Sequence, residues 1–342
     1  MRSKKITLIR NRLRKTLYHS LRTNDARLPL LFVHTPKTGG TSFRMAAERS
    51  KKFKHVFCDY GEDNNKTTPV LNQLGYKLEG KEKEIGAFLS TQKDYMLTGH
   101  FGADKHMHHF FPYQSVIFIR DPVDRVISEY HHKTRLNEYS GSIEAFIREP
   151  RFKNVQYHQF GSLNPVYWGF VGLCEQYRES LSLINILFNL DLQLLRENQN
   201  PGKSQPKYKV DTALRELIVE NNAKDMQIYG HCKALLSYRL SSQKQCVDWL
   251  YGGWRFTKTK IIGKAFKAFS NTPVTLALLI NNKEVAQCKA EQHNPISCKG
   301  VRQPLQGHIG FTFNLNKLPV LNDDDNVEVV CAHSGQHLFR MD

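Results

Sequence analysis

Residues 28–42 read LPLLFVHTPKTGGTS and join a short apolar run to a glycine-rich turn. The run at 30–33 lies between two prolines, and its length suits a strand buried on both faces better than a helix. After the turn, Thr41 and Ser42 open a helical stretch. A strand, a tight turn and a helix in this order form an anion cradle, because backbone N–H groups and the positive end of the helix point into the turn.

The turn carries one cation and several hydroxyl groups. Lys37 precedes the two glycines, and the hydroxyls belong to Thr38, Thr41 and Ser42. This order differs from the GxxxxGK[ST] loop of nucleotide triphosphatases, which does not occur in the sequence. We therefore predict a phosphate-binding loop of a different type, with an ordinary glycine-rich turn as the alternative.

A second motif, SVIFIRDPVDRVISEY, occupies residues 115–130. Its apolar run at 116–119 predicts another buried strand, and the Asp-Pro pair that follows Arg120 predicts the start of a helix. Ser128 then lies about two turns into that helix. A guanidinium group and a hydroxyl together suit a phosphate monoester. The alternative is a salt bridge between Arg120 and Asp124, with the serine merely solvated.

The two motifs, in this order, resemble the signatures of sulfotransferases that use 3′-phosphoadenosine 5′-phosphosulfate (PAPS). The resemblance covers roughly residues 28–240 and implies an α/β, P-loop-like sulfotransferase fold with a central parallel sheet flanked by helices. In that family the first loop holds the 5′-phosphosulfate, the second motif holds the 3′-phosphate, and a loop matching residues 198–209 closes over the cofactor. The cofactor-binding residues that the resemblance implies are Lys37, Thr38, Gly39, Gly40, Thr41, Ser42, Arg120, Ser128 and Lys207.

His100 directly follows a strand-like run at 95–98, and we expect it to face the same end of the sheet as Lys37 and Arg120. The Gly-His-Phe triplet around it resembles sulfotransferases of the heparan 2-sulfation type and their bacterial relatives. In that group the matching His is the proposed general base. A His whose pKa stays near neutrality can take a hydroxyl proton. The resemblance thus implies Lys37 and His100 as catalytic residues; the alternative is a His that only completes the strand end.

The clustered histidines and the cysteines show no regular ligand or disulfide pattern. His106, His108 and His109 lie close together, but no Cys or regular carboxylate spacing accompanies them, so we predict no metal site. The seven cysteines include no CxxC pair and favour free thiols in a cytosol-like compartment. Cys288 and Cys298 could pair if the environment were oxidising.

The net charge of +17 predicts attraction to an anionic partner, whether nucleic acid, an anionic membrane or a polyanionic substrate. Residues 1–22 are basic and repeat apolar side chains every three or four positions, which predicts an amphipathic helix. That helix either lies on an anionic membrane surface or docks onto its own domain. No apolar stretch of about 18 residues occurs. Because animal Golgi relatives usually carry a membrane anchor, we expect a bacterial, cytoplasmic enzyme, with peripheral contact at the inner membrane face as an alternative.

The residue pattern changes beyond about residue 257. Short strand-like runs occur at 274–280, 309–315 and 327–332, separated by turns rich in Asn and Asp. We therefore predict three parts: a basic amphipathic segment at 1–27, a PAPS-dependent sulfotransferase domain at 28–257, and a small all-β, sandwich-like accessory module at 258–342.

These features predict an enzyme that transfers the sulfuryl group of PAPS to a hydroxyl of a saccharide or glycolipid acceptor. The scheme requires neither a metal nor nucleic acid. One alternative is a nucleotide-dependent phosphotransferase with an atypical phosphate loop, which should carry a Walker Lys-Ser/Thr and a magnesium-binding Asp that are not evident. The other is a basic nucleic-acid-binding protein, whose affinity would fall steeply with salt.

Overall fold

The computed structural model of the chain describes residues 27–62, 64–77, 81–195, 210–244, 249–298, 300–317, 321–322 and 324–341. The predicted N-terminal helix and Lys207 lie outside these ranges, so membrane contact through that helix stays a prediction. The chain divides into two compact units. The first comprises Ala26–Leu236 with Cys298–Val301, and the second includes Ser237–Ser297 and Arg302–Asp342.

A five-stranded sheet forms the centre of the first unit, and all its neighbouring strands are parallel. Four of the five strands are buried along their whole length, as expected for a parallel sheet covered on both faces. In spatial order the strands are β2 (His55–Asp59), β3 (Tyr95–Gly99), β1 (Leu30–Val33), β4 (Ser115–Ile119) and β5 (Phe170–Leu173). The predicted strands at 30–33, 95–98 and 116–119 are confirmed, whereas β2 was not predicted.

Nine α-helices lie within the described residues. In chain order they are α1 (Gly40–Arg49), α2 (Pro69–Asn72), α3 (Lys81–Thr91), α4 (Pro122–Arg135), α5 (Ile143–Arg148), α6 (Val155–Phe160), α7 (Tyr177–Phe188), α8 (Thr212–Asn221) and α9 (Ala223–Lys244). A π-helical turn, Gln73–Lys77, continues α2. Phe43 of α1 packs on Phe32 and Phe118, with ring centroids 4.5 and 5.5 Å apart, which seats α1 on β1 and β4. None of these helices is both long and apolar enough to cross a membrane.

The carboxyl ends of the five strands meet at one edge of the sheet because every pair is parallel. The register places Val33 beside Gly99 and Ile117. From β1 the chain continues to β2, and from β4 it continues to β5 on the opposite side, so the direction of strand order reverses between β1 and β4. In open α/β sheets such a reversal forms a crevice at the carboxyl ends, where ligands bind. Both predicted phosphate-binding motifs follow these two strands.

The second unit contains two sheets that share an apolar core, with Trp254 and Phe311 from one sheet and Leu276 and Val329 from the other. In spatial order, one sheet contains β10 (Gln292–His293), β11 (His308–Asn314), β7 (Lys260–Lys267), β6 (Leu250–Phe256) and β13 (Phe339–Arg340). The other contains β12 (Val327–Cys331), β8 (Thr275–Ile280) and β9 (Lys283–Lys289).

The three strands predicted for the C-terminal part are confirmed as β8, β11 and β12, whereas β6, β7 and β9 were not predicted. The second unit also includes the last part of α9 and all of β6, which precede the predicted limit at residue 258. It is therefore not purely β. Cys288 and Cys298, which could have paired, are both free thiols.

Gly99 lets β2 and β3 approach each other. A side chain at this position would overlap the carbonyl oxygen of Asp59, a backbone atom that cannot move independently. We expect Gly99→Ala to lower the free energy of unfolding by about 1–3 kcal/mol, the usual cost of overpacking a core. Gly230→Ala is the matched control, because Gly230 lies on an exposed face of α9 with open space around it and should gain about 0.5–1 kcal/mol. Urea unfolding measures both, and equal stabilities of the two variants would contradict this packing.

Candidate anion-binding and transfer site

The loop between β1 and α1 has a backbone conformation suited to anions. Lys37 and Gly39 have φ values of 67° and 86°, in the left-handed region, whereas Thr38 between them does not. Alternation of this kind turns successive N–H groups toward one point, as in backbone nests that bind phosphate. A left-handed conformation is uncommon for lysine and is typical of functional loops held in place by their surroundings. α1 begins directly behind the loop with Gly39 as its N-cap, so its positive end faces the same space.

Buried contacts on three sides hold this loop. The Thr38 hydroxyl is buried and donates to a carbonyl oxygen of the loop itself at 2.9 Å, so it stabilises the turn. Gly40 lies against the His34 ring, and a side chain there would overlap the imidazole. Gly39 lies next to Tyr177, at the start of α7, and a Cβ atom at position 39 would be in ordinary van der Waals contact with the tyrosine ring. Gly39 is therefore favoured by its left-handed backbone conformation, and Gly40 by its close approach to the His34 ring.

The other polar side chains of the loop differ in exposure. Lys37 is half-buried, Thr41 is exposed and Ser42 is buried. Burial and the nearby charge of Lys37 lower the pKa of His132, which places the lysine ammonium close to the last turn of α4. Ser128 is four residues before His132 and so lies on the same face of α4. The second motif's serine therefore shares a face of α4 with the histidine whose pKa the Lys37 charge lowers.

Arg120 is the first residue after β4 and is half-buried. The next residue, Asp121, caps α4 by accepting hydrogen bonds from the N–H groups of Val123 and Asp124 at 3.0 and 3.2 Å. The helix begins at Pro122, as predicted. Within the described residues Arg120 forms no ion pair with Asp124, which had been the alternative role for this arginine. Because neighbouring strands are about 5 Å apart, Arg120 and the Lys37 loop open on the same crevice.

His100 follows β3 at the same edge and belongs to a cluster of three rings. Its imidazole lies 4.6 Å from that of His34 and 4.7 Å from the ring of Tyr60, both measured between centroids. The Nδ1 atom of His34 and the Tyr60 hydroxyl are 2.9 Å apart and share a hydrogen bond. The sequence did not single out Tyr60, which lies in a stretch without clear periodicity. His34 packs beneath the phosphate loop, with its ring against Gly40.

The cluster is electrically neutral at neutral pH. Burial, with smaller repulsions from Lys66 and Lys133, lowers the pKa of His100 to about 4, although one side of the residue is open to solvent. Burial also lowers the pKa of His34 well below its ordinary value and raises that of Tyr60 to about 12. The pKa of His100 in the free protein therefore lies below that of an unperturbed histidine, because desolvation and neighbouring cations disfavour the imidazolium.

Asp59, the last residue of β2, anchors the neighbouring loops. Its carboxylate lies 2.7 Å from both Lys105 Nζ and His106 Nε2 and accepts a bond of 2.6 Å from the Tyr76 hydroxyl. Burial disfavours its charge, but these three hydrogen bonds prevail and keep the pKa of Asp59 below its usual range. The His106 ring is thus hydrogen-bonded to the Asp59 carboxylate. Among the described residues no group of three or more His, Cys, Asp or Glu could hold a metal ion.

An open depression of about 640 Å³, the polar cleft, is lined by six polar residues and one proline. One lining residue, Thr67, accepts a hydrogen bond from the Tyr60 N–H at 3.0 Å and so connects the cleft to the ring cluster. The seven lining residues are Asn64, Asn65, Thr67, Pro69, Asn72, Gln73 and Lys77. Amides and hydroxyls of this kind can both donate and accept hydrogen bonds.

A parallel sheet with a glycine-rich loop and a helix N-terminus at its reversal point is the arrangement with which α/β proteins bind anionic groups. The profile of the sulfotransferase family matches residues 21–231, well over half of the chain. The chain therefore belongs to the sulfotransferase family. A comparison with curated proteins found no match.

Solved structures that resemble the chain include a sulfotransferase from Alicyclobacillus acidocaldarius, with 16% identity over 61% of this chain and 96% of that one, at a TM-score of 0.35. Mouse sulfotransferase SULT7A1, solved with PAP, has 12% identity over 60% of this chain and 67% of that one, at 0.31. Retinol dehydratase, solved with androsterone and the inactive cofactor PAP, has 15% identity over 60% and 69%, at 0.28.

The suppressed histidine pKa values predict how stability changes with pH. Burial lowers the pKa of His34 and His100, and burial with nearby histidines lowers that of His109 to about 4. Below about pH 6.5 the unfolded chain takes up protons that the folded protein does not, so the folded state loses stability as pH falls toward 4. We expect urea unfolding to show a lower free energy at pH 5 than at pH 7, and a smaller difference in His34→Phe. Stability that is equal at both pH values would contradict these environments.

Proposed function

We propose that the chain transfers the sulfuryl group of PAPS to a hydroxyl of a saccharide or glycolipid acceptor. The observation that carries this proposal is the loop around Lys37 and Gly39, whose left-handed residues and following helix α1 form an anion cradle at the reversal point of the sheet. Membership of the sulfotransferase family supports sulfuryl transfer as the reaction. PAPS as the donor and a saccharide or glycolipid as the acceptor are our proposal.

The two motifs divide the donor between them. The N–H groups of residues 39–42 and the Lys37 ammonium would hold the 5′-phosphosulfate. Arg120 would hold the 3′-phosphate with its planar set of donors, helped by the Ser128 hydroxyl on the facing side of α4. This division is supported by the pairing of β1 with β4, because Lys37 and Arg120 follow these two neighbouring strands at the same edge of the sheet. Lys207, the ninth predicted cofactor residue, stays a prediction.

Transfer forms a bond between the acceptor oxygen and sulfur and breaks the bond between sulfur and the 5′-phosphate oxygen. Lys37 would stabilise the negative charge that grows on that leaving oxygen. Such fixed charges and donors contribute mainly by positioning and electrostatic stabilisation, as in phosphoryl transfer. His100 would take the proton that leaves the acceptor hydroxyl, so the proton and charge balance within the site.

His100 is suited to that step because it is neutral in the free protein. A base with a pKa of about 4 would nevertheless be weak, since catalysis is most efficient when the pKa lies near the working pH. A bound donor would correct this, because its phosphates are negative and favour the imidazolium. The low pKa in the free protein and a higher one in the donor complex are therefore both expected.

The polar cleft beside Tyr60 supports a hydroxyl-rich acceptor. Six of its seven lining residues carry amides, a hydroxyl or an ammonium group, which hydrogen-bond to sugar hydroxyls without requiring charge on the sugar. Thr67 of the cleft is linked to His100 through Tyr60, so an acceptor held there could present a hydroxyl to the base. We therefore propose this cleft as the acceptor site.

Thermal unfolding in the presence of nucleotides tests the donor. We expect adenosine 3′,5′-bisphosphate to raise the Tm, by mass action worth about 2.7 kcal/mol at 100 times its Kd, and ATP to have little effect. Arg120→Ala should lose this stabilisation. Arg215→Ala is the matched control, because Arg215 is exposed on α8. A Tm that rises with ATP alone would instead support a nucleotide-dependent phosphotransferase.

The base can be tested by pH dependence. Once an oligosaccharide that supports turnover is found, His100→Ala should lower kcat by roughly 10²- to 10⁴-fold and leave the Kd for adenosine 3′,5′-bisphosphate almost unchanged. In the wild type, kcat/KM for PAPS should fall as pH drops through about 4, and kcat should fall at a higher pH because the bound phosphates stabilise the imidazolium. A variant that keeps both its rate and its acidic limb would assign the role to another residue.

A further inference from the structure

Gln156 makes two hydrogen bonds to the main chain of Arg120. The Arg120 N–H donates to Gln156 Oε1 at 2.8 Å, and Gln156 Nε2 donates to the Arg120 carbonyl oxygen at 2.9 Å. Gln156 is completely buried. The sequence did not single out this glutamine, which is 36 residues away from the arginine along the chain.

These bonds take the place of a missing strand. The pairing of β4 with β1 ends at Ile117, and its pairing with β5 ends at Ile119. The N–H and carbonyl groups of Arg120 therefore lie beyond both strand pairings. A glutamine side chain carries the same donor and acceptor as a peptide group, so Gln156 satisfies both groups at once. It extends the ordered backbone of β4 by one residue, and that residue is the arginine of the second motif.

Gln156 is itself held from the other side. The Asp225 carboxylate, at the start of α9, accepts hydrogen bonds from the Gln156 N–H at 3.3 Å and the Tyr157 N–H at 2.7 Å. The Asn154 side chain accepts from the N–H groups of Lys224 and Asp225, at 3.0 and 3.1 Å. The beginnings of α6 and α9 thus bond to each other in both directions. Gln156 is therefore held in place by α9 while it hydrogen-bonds to Arg120.

A second side chain holds the following peptide. Glu175, two residues after the end of β5, accepts a hydrogen bond from the Asp121 N–H at 2.7 Å. The main chain at Arg120 and Asp121 is thus fixed by side chains from two other segments. The Arg120 side chain can still change its rotamer. The direction in which it leaves the backbone, however, is fixed.

We propose that Gln156 is a positioning residue that aims Arg120 at the 3′-phosphate of the donor. This rests on the proposed function, in which Arg120 holds that phosphate. A group held in place by packed, fully hydrogen-bonded neighbours binds with a smaller loss of conformational freedom. Without the clamp, the arginine would have to be ordered each time the donor binds.

The test compares two nucleotides that differ only in the 3′-phosphate, namely adenosine 3′,5′-bisphosphate and adenosine 5′-monophosphate. For Gln156→Ala, calorimetry should show a Kd for the bisphosphate about 10-fold or more higher, the size expected for losing two hydrogen bonds, and a nearly unchanged Kd for the monophosphate. Gln156→Glu keeps the size and the acceptor but loses the donor to the Arg120 carbonyl, so it should show the same selective loss. Gln156→Glu can therefore replace Gln156→Ala in this test if the alanine variant does not fold.

Gln159→Ala is the matched control, because Gln159 lies on the same helix and its side-chain oxygen makes no hydrogen bond within the described part of the chain. It should bind both nucleotides like the wild type. In an Arg120→Ala background the additional effect of Gln156→Ala should vanish, since the two residues act as one unit.

Three results would overturn the proposal. One is an equal loss of affinity for both nucleotides in Gln156→Ala and Gln156→Glu, which would show a merely structural role. Another is additive effects of the Arg120 and Gln156 changes. The third is bisphosphate binding that requires Arg120 but not Gln156, which would leave the proposed function intact. If Arg120→Ala binds the bisphosphate as well as the wild type does, the assignment of the 3′-phosphate fails first, and this inference fails with it.

Discussion

The parallel pairing of β1 with both β3 and β4 is the constraint on which the site depends. Because all five strands run the same way, the residues that follow them lie along one edge, and the reversal of strand order between β1 and β4 opens a crevice there. The Lys37 loop, His100 and Arg120 are separated by many residues in sequence but follow three adjacent strands. If one of these three strands ran antiparallel to its neighbours, the residues that follow it would lie at the opposite edge of the sheet.

Where the strands of this sheet end, their backbone groups lose their partners in the sheet, and this chain satisfies several of them with side chains. Gln156 bonds to Arg120, Glu175 to Asp121, and Thr67 to Tyr60. Each of these bonds lies directly beside a residue of the proposed site. Side chains that complete a strand end add rigidity without adding another strand, so the crevice stays open while its walls are fixed.

The electrostatics of the crevice separate fixed positive charge from neutral bases. Lys37 and Arg120 supply the cations, while His34 and His100 stay neutral because burial, together with nearby cations, disfavours their protonated forms. This arrangement favours an anionic donor, whose charge would in turn raise the basicity of the histidine next to it. In the proposed function, donor binding and proton transfer would be coupled through the same charges.

The sequence by itself determined the strands β1, β3 and β4 of the central sheet, the strands β8, β11 and β12 of the second unit, and the helices that follow the glycine turn and Asp121. Short apolar runs, glycine turns and helix-start residues act within a few positions, so these elements are locally encoded. It also indicated Lys37, Arg120 and Ser128 as candidate site residues, because each lies within a short motif that can be recognised from the sequence. Only the tertiary structure decided the rest. β2 was not predicted because its burial comes from pairing with β3, and the low pKa of His100 comes from burial and lysines of other segments. The hydrogen bonds between Gln156 and Arg120 join helix α6 to the end of β4, two elements that share no sequence pattern.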